Sequence, residues 1–223
     1  MAPNHKVKIL YRIAEKANKN TNKNKPLWIS NKQCLANIAK NKTKDATLLV
    51  FGDRLTAETS EFAKKIADKY LPTTAHGNAE TFLEVFSFAL SLAPDTIVYF
   101  SEDDYLHLPD FDKYIAEGLD RAKYVTLYDH PDKYNGAPVQ LFYTKSCHWK
   151  VTESTTMTFA AKVSTLLQDQ NIFTNLIKTG NPPDHYIFLE LGKKGRTLIS
   201  AVPGLATHGE QAWLAPTIDW QAR

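Results

Sequence analysis

Glu102, Asp103 and Asp104 are three consecutive carboxylates, separated by Ser101 alone from the apolar and β-branched run Thr96–Phe100. That run has the length and branching of a strand buried on both faces. Like charges packed at the end of such a strand repel and raise one another's pKa. A divalent cation with a preference for oxygen removes that cost, and adjacent carboxylates at a strand end suit it. The plainer alternative is a solvated acidic turn. In an extended segment residues 102 and 104 project to the same side. With Asp104 as the expected direct metal ligand, Glu102 can then reach a ligand hydroxyl or a metal-bound water.

The elements that must position this triplet alternate strand and helix. Val7–Ile13 reads as a strand with Tyr11 and Arg12 near its carboxyl end. Asn31–Lys40 follows as a short helix, and Thr47–Phe51 as a strand running into Gly52-Asp53. Thr59–Tyr70 shows helical spacing through Phe62, Ile66 and Ala67. Gly77-Asn78 reads as a turn or a helix start, and Ala79–Leu92 as a strongly apolar helix. After the strand Thr96–Phe100 come a helix over Phe111–Ala122 and a strand over Tyr124–Tyr128. This alternation predicts an α/β fold with a mostly parallel central sheet flanked by helices. Ligands of such sheets bind beyond the carboxyl ends of the strands, where Arg12, Asp53 and Glu102–Asp104 should meet.

The second half differs in pattern. Val139–Thr144 and His148–Thr152 form an expected small antiparallel pair. Helices are expected over Thr156–Gln168 and Asn171–Lys178, and Gly180-Asn-Pro-Pro183 is a stop. Asp184 then stands as N-cap of a helix through Lys194. Leu198–Val202 and the Gly204–Glu210 segment complete the chain. No repeat or long linker is visible, so residues 1–223 read as one domain, 1–128 forming a nucleotide-binding half and 129–223 an acceptor-binding half.

Composition narrows the classes. The 223 residues are 43% hydrophobic, enough for a substantial core. No apolar stretch approaches the roughly 18–20 residues of a membrane span. Met1–Lys8 is polar and basic with no signal-length segment behind it, which predicts a cytoplasmic location. Cys34 and Cys147 lie far apart and form no CxxC, against a disulfide scaffold or a cysteine zinc site. Residues Lys16–Lys44 hold eight lysines and no acid, leaving a net −5 elsewhere. Apart from Trp28 this run lacks aromatics, and it lacks arginine, so a solvated segment is expected rather than a nucleic-acid surface.

Taken together, the residues resemble a GT-A-fold glycosyltransferase. The triplet at 102–104 matches the metal-binding DxD motif of that fold, with Glu102 where the first Asp is more usual. Asp53 matches the position that holds base or ribose. His208, before Gly209, matches a late third protein contact to the metal. The stretches Val98–Lys133 and Ser154–Lys162 resemble a small group that includes the first domain of a large chlorovirus glycosyltransferase. The resemblance implies a nucleoside-diphosphate sugar donor, with UDP the expected nucleotide, a glycan acceptor, and Mn²⁺ or Mg²⁺ held by Asp104 and His208. A histidine ligand favours Mn²⁺, since Mg²⁺ prefers oxygen. If the chain is viral, its location would be the host cytoplasm.

The chemistry asked of these residues is defined. Breaking the bond between the anomeric carbon and the diphosphate builds negative charge on the leaving group, which a bridging cation stabilises. Tyr11, Arg12, Asp53, Asn78, Glu102 and Asp103 are the expected donor-binding residues. An inverting transfer needs a base for the acceptor hydroxyl; Asp184 and Asp129 are the two candidates, and a retaining enzyme would need neither. His130, Ser154, Thr155 and Thr156 are expected on the acceptor side, and Trp149, Trp213 and Trp220 offer sugar-stacking faces or core packing. Scattered histidines without HxxxH spacing argue against a catalytic zinc. A nucleotidyltransferase acting on sugar phosphates is the alternative enzyme, although residues 11–25 contain no glycine for a triphosphate loop. A non-catalytic carbohydrate-binding module is the other alternative.

Overall fold

Alternate residues Val7, Ile9, Tyr11 and Ile13 face one layer of the protein while Leu10 faces the other, and all five are buried. A strand buried on both faces must lie inside a sheet, and β1 (Val7–Ala14) does. The computed structural model describes residues 6–15, 25–136, 138–177 and 184–223. In chain order the remaining elements begin with α1 (Asn31–Asn41), β2 (Thr47–Asp53), α2 (Ala57–Ile66), β3 (Lys69–Pro72), α3 (Asn78–Leu90), β4 (Ile97–Ser101) and β5 (Tyr105–His107). They continue with α4 (Lys113–Leu119), β6 (Tyr124–Thr126), β7 (Leu141–Tyr143), β8 (His148–Thr152), β9 (Phe159–Lys162), α5 (Val163–Ile177), α6 (Asp184–Lys193), β10 (Leu198–Val202) and β11 (Ala206–His208).

Among the described residues one sheet runs β3-β2-β1-β4-β9-β6-β10-β8-β7, and β5 pairs with β11 in a second, two-stranded antiparallel sheet. β1 is parallel to β2 and β4, β2 to β3, and β6 to β10. β9 lies antiparallel between β4 and β6, which leaves β4 and β6 pointing the same way. The fold is thus α/β with a mostly parallel centre and antiparallel additions, as expected. One face carries Cys34, Leu35 and Ile38 of α1 with Ile115 of α4 and Trp149. The other carries Phe82, Val85 and Phe86 of α3, Leu166 and Phe173 of α5, and Phe188 of α6. Strands of the 129–223 segment complete the same sheet.

Three expected elements are corrected. The helix read over Thr59–Tyr70 ends at Ile66, and Lys69–Pro72 becomes the edge strand β3. The cause is Asp68, whose carboxylate accepts from Leu48 N–H at 2.7 Å while its own N–H donates to Leu48 O at 3.0 Å, laying the chain against β2. Lys69 and Pro72 are residues an exposed sheet edge tolerates. The helix read over Thr156–Gln168 is replaced at its start by β9, whose Phe159, Ala160 and Ala161 are wholly buried in the sheet centre. Short apolar runs do not distinguish strand from helix by periodicity. The break expected before Asn171 is absent, and α5 is continuous to Ile177. Asp169 permits this: although buried, it accepts from Tyr124 Oη and from Arg196 Nε, each at 2.9 Å. Lys178 and the Gly180–Pro183 stop lie outside the described residues.

Phe159 tests the reassignment of β9. Its ring stands 4.9 Å from Phe100, 5.6 Å from Phe173 and 5.3 Å from Phe188. Phe159→Ala should cost about 3–5 kcal/mol in urea unfolding, whereas an unchanged midpoint would show that this side chain is not central.

Candidate active site

The carboxyl ends of β1, β2 and β4 lie side by side, with Ala14 opposite Asp53 and Tyr11 opposite Ser101. That register places Arg12 beside Glu102. Arg12 Nη2 donates to Glu102 Oε1. Nη1 donates to Asn78 O at 2.8 Å and to Asn78 Oδ1 at 2.9 Å, and the guanidinium lies 5.3 Å from the Phe82 ring centroid. Gly77, with φ of 97°, turns the chain into α3 so that Asn78 meets Arg12.

Asp53 is buried and serves four donors. Oδ1 accepts from Arg54 Nε and contacts His76 Nδ1, each at 2.9 Å; Oδ2 accepts from Arg54 Nη2 at 3.0 Å and Gly77 N–H at 3.1 Å. Burial would raise its carboxyl, but hydrogen bonds from Arg54, Gly77 and His76 outweigh this and hold it below the usual range. Tyr11 points to the opposite face from Arg12. It is fully buried, its hydroxyl has no hydrogen-bond partner among the described residues, and it lies beneath the acidic triplet near Cys34, Asp103 and Asp104.

The triplet divides its contacts. Glu102 faces Arg12. Asp103 accepts from Ala14 N–H at 2.9 Å, and burial followed by the Asp104 charge pushes its carboxyl up. Asp104 is 4% exposed, with Oδ2 at 3.4 Å from His208 Nε2 and 3.4 Å from Lys25 Nζ. The short β5–β11 pair creates this meeting by placing His208 opposite Tyr105. Gly209 N–H then donates to Asp104 O at 2.6 Å, and a Cβ on Gly209 would lie 2.7 Å from that oxygen. His208 is also 4% exposed, and Nε2 makes no hydrogen bond among the described residues. Two ligands about 2.1–2.5 Å from one ion at right angles stand roughly 3.0–3.5 Å apart. The Asp104–His208 pair fits that span. The described residues contain no group of three or more His, Cys, Asp or Glu side chains able to hold a metal, so an ion here would need further ligands from a substrate or water.

Across the same edge, the β8–β9 connection carries Ser154, Thr155 and Thr156. Asp184 Oδ2 accepts from Thr156 N–H at 2.6 Å, Thr155 N–H at 3.2 Å and Ser154 Oγ at 3.2 Å. Asp184 thus begins α6 and ties down this loop. Thr156 and Met157 hold positive φ of 45° and 58°, conformations that non-glycine residues adopt only when their surroundings enforce them. Tyr105 Oη adds a bond to Thr156 O at 3.2 Å.

Asp129 is 1% exposed and engaged on both oxygens: Oδ1 lies 2.5 Å from Lys150 Nζ, and Oδ2 accepts from Tyr134 Oη. The buried Lys150 ammonium also sits 3.9 Å from the Tyr134 ring centroid. His130 contacts Asp132 at 2.7 Å and stands 5.1 Å from the Trp213 ring; burial, countered in part by Asp132, holds its imidazole below the usual range. Trp149 and Trp220 are core residues, while Trp213 is 40% exposed. Lys25, His76, Tyr105, Tyr134 and Lys150 were not singled out in the sequence. A His-Gly pair before a helix was a usable signal for His76; the rest depend on tertiary neighbours.

The sequence matches no protein-family model and no curated protein significantly. Among solved structures, 4-diphosphocytidyl-2C-methyl-D-erythritol synthase of Anaerococcus prevotii, a nucleotidyltransferase, is similar with a TM-score of 0.53 at 9% identity, over 97% of this chain and 94% of that one. Residues 1–349 of S. aureus TarS, a GT-A glycosyltransferase, are similar with a TM-score of 0.53 at 13% identity, over 93% of this chain and 59% of that one. The fold is GT-A-like. At these identities the likeness is one of architecture, shared by two transferases of the nucleotide-binding type. No helix among the described residues is long and apolar enough to cross a membrane.

The loop clamp is directly testable. Asp184→Ala removes the acceptor of two loop amides and should speed hydrogen exchange at Thr155 and Thr156, with a stability loss of about 1–3 kcal/mol. Unchanged exchange there would show that the strained turn does not depend on Asp184.

Proposed function

We propose that this chain is a metal-dependent glycosyltransferase that moves a sugar from a nucleoside-diphosphate sugar, with UDP the favoured nucleotide, to a glycan acceptor. The observation carrying this reading is the buried Asp104–His208 pair, 3.4 Å apart at the strand-carboxyl edge, beside the Arg12–Glu102 contact in a GT-A-like fold. Bound there, Mn²⁺ or Mg²⁺ would act as a Lewis acid on the leaving diphosphate. Asp53, Arg12, Asn78, Glu102 and Asp103 form the donor side, Asp53 accepting from the base or a ribose hydroxyl as its internal donors rearrange. Tyr11 supports this floor from beneath.

Asp184 is the preferred base for an inverting reaction, because both oxygens of Asp129 are already engaged by Lys150 and Tyr134 in a buried position. Asp129 then fixes the wall that carries His130, and Ser154–Thr156 line the acceptor side. Asp184→Asn keeps an acceptor oxygen but removes basicity. It should lower transfer steeply while leaving UDP binding unchanged; full transfer would indicate a retaining mechanism or another base. The full-length likeness to a nucleotidyltransferase favours a second reading, transfer of a nucleotide to a sugar phosphate. A screen for UDP release from UDP-sugars, against pyrophosphate release from nucleoside triphosphates, separates the two.

Two outcomes are expected at the metal pair. Asp104→Asn should retain the fold and lose on the order of 10²-fold or more in UDP-sugar turnover; full turnover at limiting Mn²⁺ would remove Asp104 from the reaction. Mn²⁺ affinity should also rise with pH. Asp103 is raised by burial and by Asp104, and a neighbouring cation favours its ionised form, so binding releases protons until Asp103 is ionised without the metal. A flat affinity between about pH 5.5 and 8 contradicts that coupling.

A further inference from the structure

Asp104 Oδ2 is contacted by Lys25 Nζ at the same 3.4 Å as by His208 Nε2. The three side chains differ in access: Asp104 and His208 are 6% and 5% exposed, Lys25 is 32% exposed. The ammonium is thus the more accessible partner of a buried carboxylate and places positive charge beside it. The two cations exclude each other. A divalent ion within about 4 Å of an ammonium meets repulsion of several kcal/mol even at an effective dielectric near 20.

The backbone beside Lys25 is held in place. Ile29 N–H donates to Pro26 O at 3.0 Å, and Ile29 is buried against Gly209, where its Cγ2 lies 2.9 Å from the position of an added Cβ. Gly209 follows His208 directly. The root of Lys25 is thus fixed to the wall of the Asp104–His208 pair, and its flexible four-carbon stem is the part free to move. An ammonium expelled from Asp104 at that position would meet, besides the neighbouring Asp103, the diphosphate of a donor held by the same cation.

We infer that Lys25 is an internal counterion of Asp104 that a divalent cation displaces, and that it then binds the donor's diphosphate. The inference rests on the reading of Asp104 and His208 as a metal pair. It gives Lys25 effects of opposite sign in two binding measurements, which a merely structural lysine would not have. With the competing ammonium gone, Lys25→Gln should bind Mn²⁺ alone more tightly, by about three- to tenfold for a partly exposed pair. In saturating Mn²⁺ the same variant should bind UDP more weakly by a similar factor, while uridine, which lacks phosphate, binds unchanged. Lys25→Arg keeps the charge and should hold Mn²⁺ affinity near that of the wild type.

The experiment is Mn²⁺ titration by electron paramagnetic resonance, followed by UDP and uridine calorimetry, on the wild type, both Lys25 variants and Asp104→Asn. Tighter Mn²⁺ and weaker UDP binding in Lys25→Gln support the inference. Mn²⁺ affinity that is unchanged or lower, or UDP affinity that is unchanged, overturns it while Asp104-dependent Mn²⁺ binding keeps the metal reading intact. A wild type that binds no Mn²⁺, or binds it equally after Asp104→Asn, overturns the metal reading and this inference together.

Discussion

Negative charge at the end of a buried strand is the constraint on which the site depends. β4 is wholly buried, and the chain leaves it through three carboxylates that cannot all be solvated. Each has a separate compensation. Glu102 takes the Arg12 guanidinium, Asp103 takes the Ala14 N–H, and Asp104 lies between His208 and Lys25. Two of those compensating groups come from β1, which is why the parallel β1–β4 register matters for chemistry as well as folding. The third arrives through the β5–β11 pair, whose function in the fold is to bring a late histidine back to the triplet.

The opposite wall is built by different means. β9 runs against the parallel strands, so its beginning rather than its end reaches the site edge, and the loop before it must turn sharply there. Asp184 and Tyr105 hold that turn in left-handed conformations at Thr156 and Met157. A hydrogen-bonded wall facing the acidic floor would suit the proposed reaction, in which a donor and an acceptor must be aligned. Buried Lys150 and Asp129 reinforce the same wall with an ion pair whose loss on either side would strand a charge in the interior.

Much of this was legible in the residues. The runs at Val7–Ile13, Thr47–Phe51 and Thr96–Phe100 announced buried strands because apolar, β-branched and aromatic residues dominate them, interrupted only by Lys8 and Arg12 in the first, and Asp53 and the acidic triplet followed from where those runs stop. β9 was not legible, because Phe159-Ala160-Ala161 is too short and too alanine-rich to reveal a period; only its neighbours β4 and β6 make it a strand. The helix read past Ile66 failed because Asp68 bonds to Leu48, twenty residues away. The Asp129–Lys150 pair was hidden for the same reason, since it requires knowing that β10 lies between β6 and β8. Lys25 gave no signal at all within a lysine-rich run.

The central claim is that Asp104 and His208 together hold a cation that binds a nucleoside diphosphate. Calorimetric titration of UDP with and without Mn²⁺ tests it most directly. The account predicts measurable UDP affinity in Mn²⁺, lost when the metal is chelated and lost in Asp104→Asn. UDP binding indifferent to both metal and Asp104, or a clear preference for nucleoside triphosphates over UDP, would contradict it.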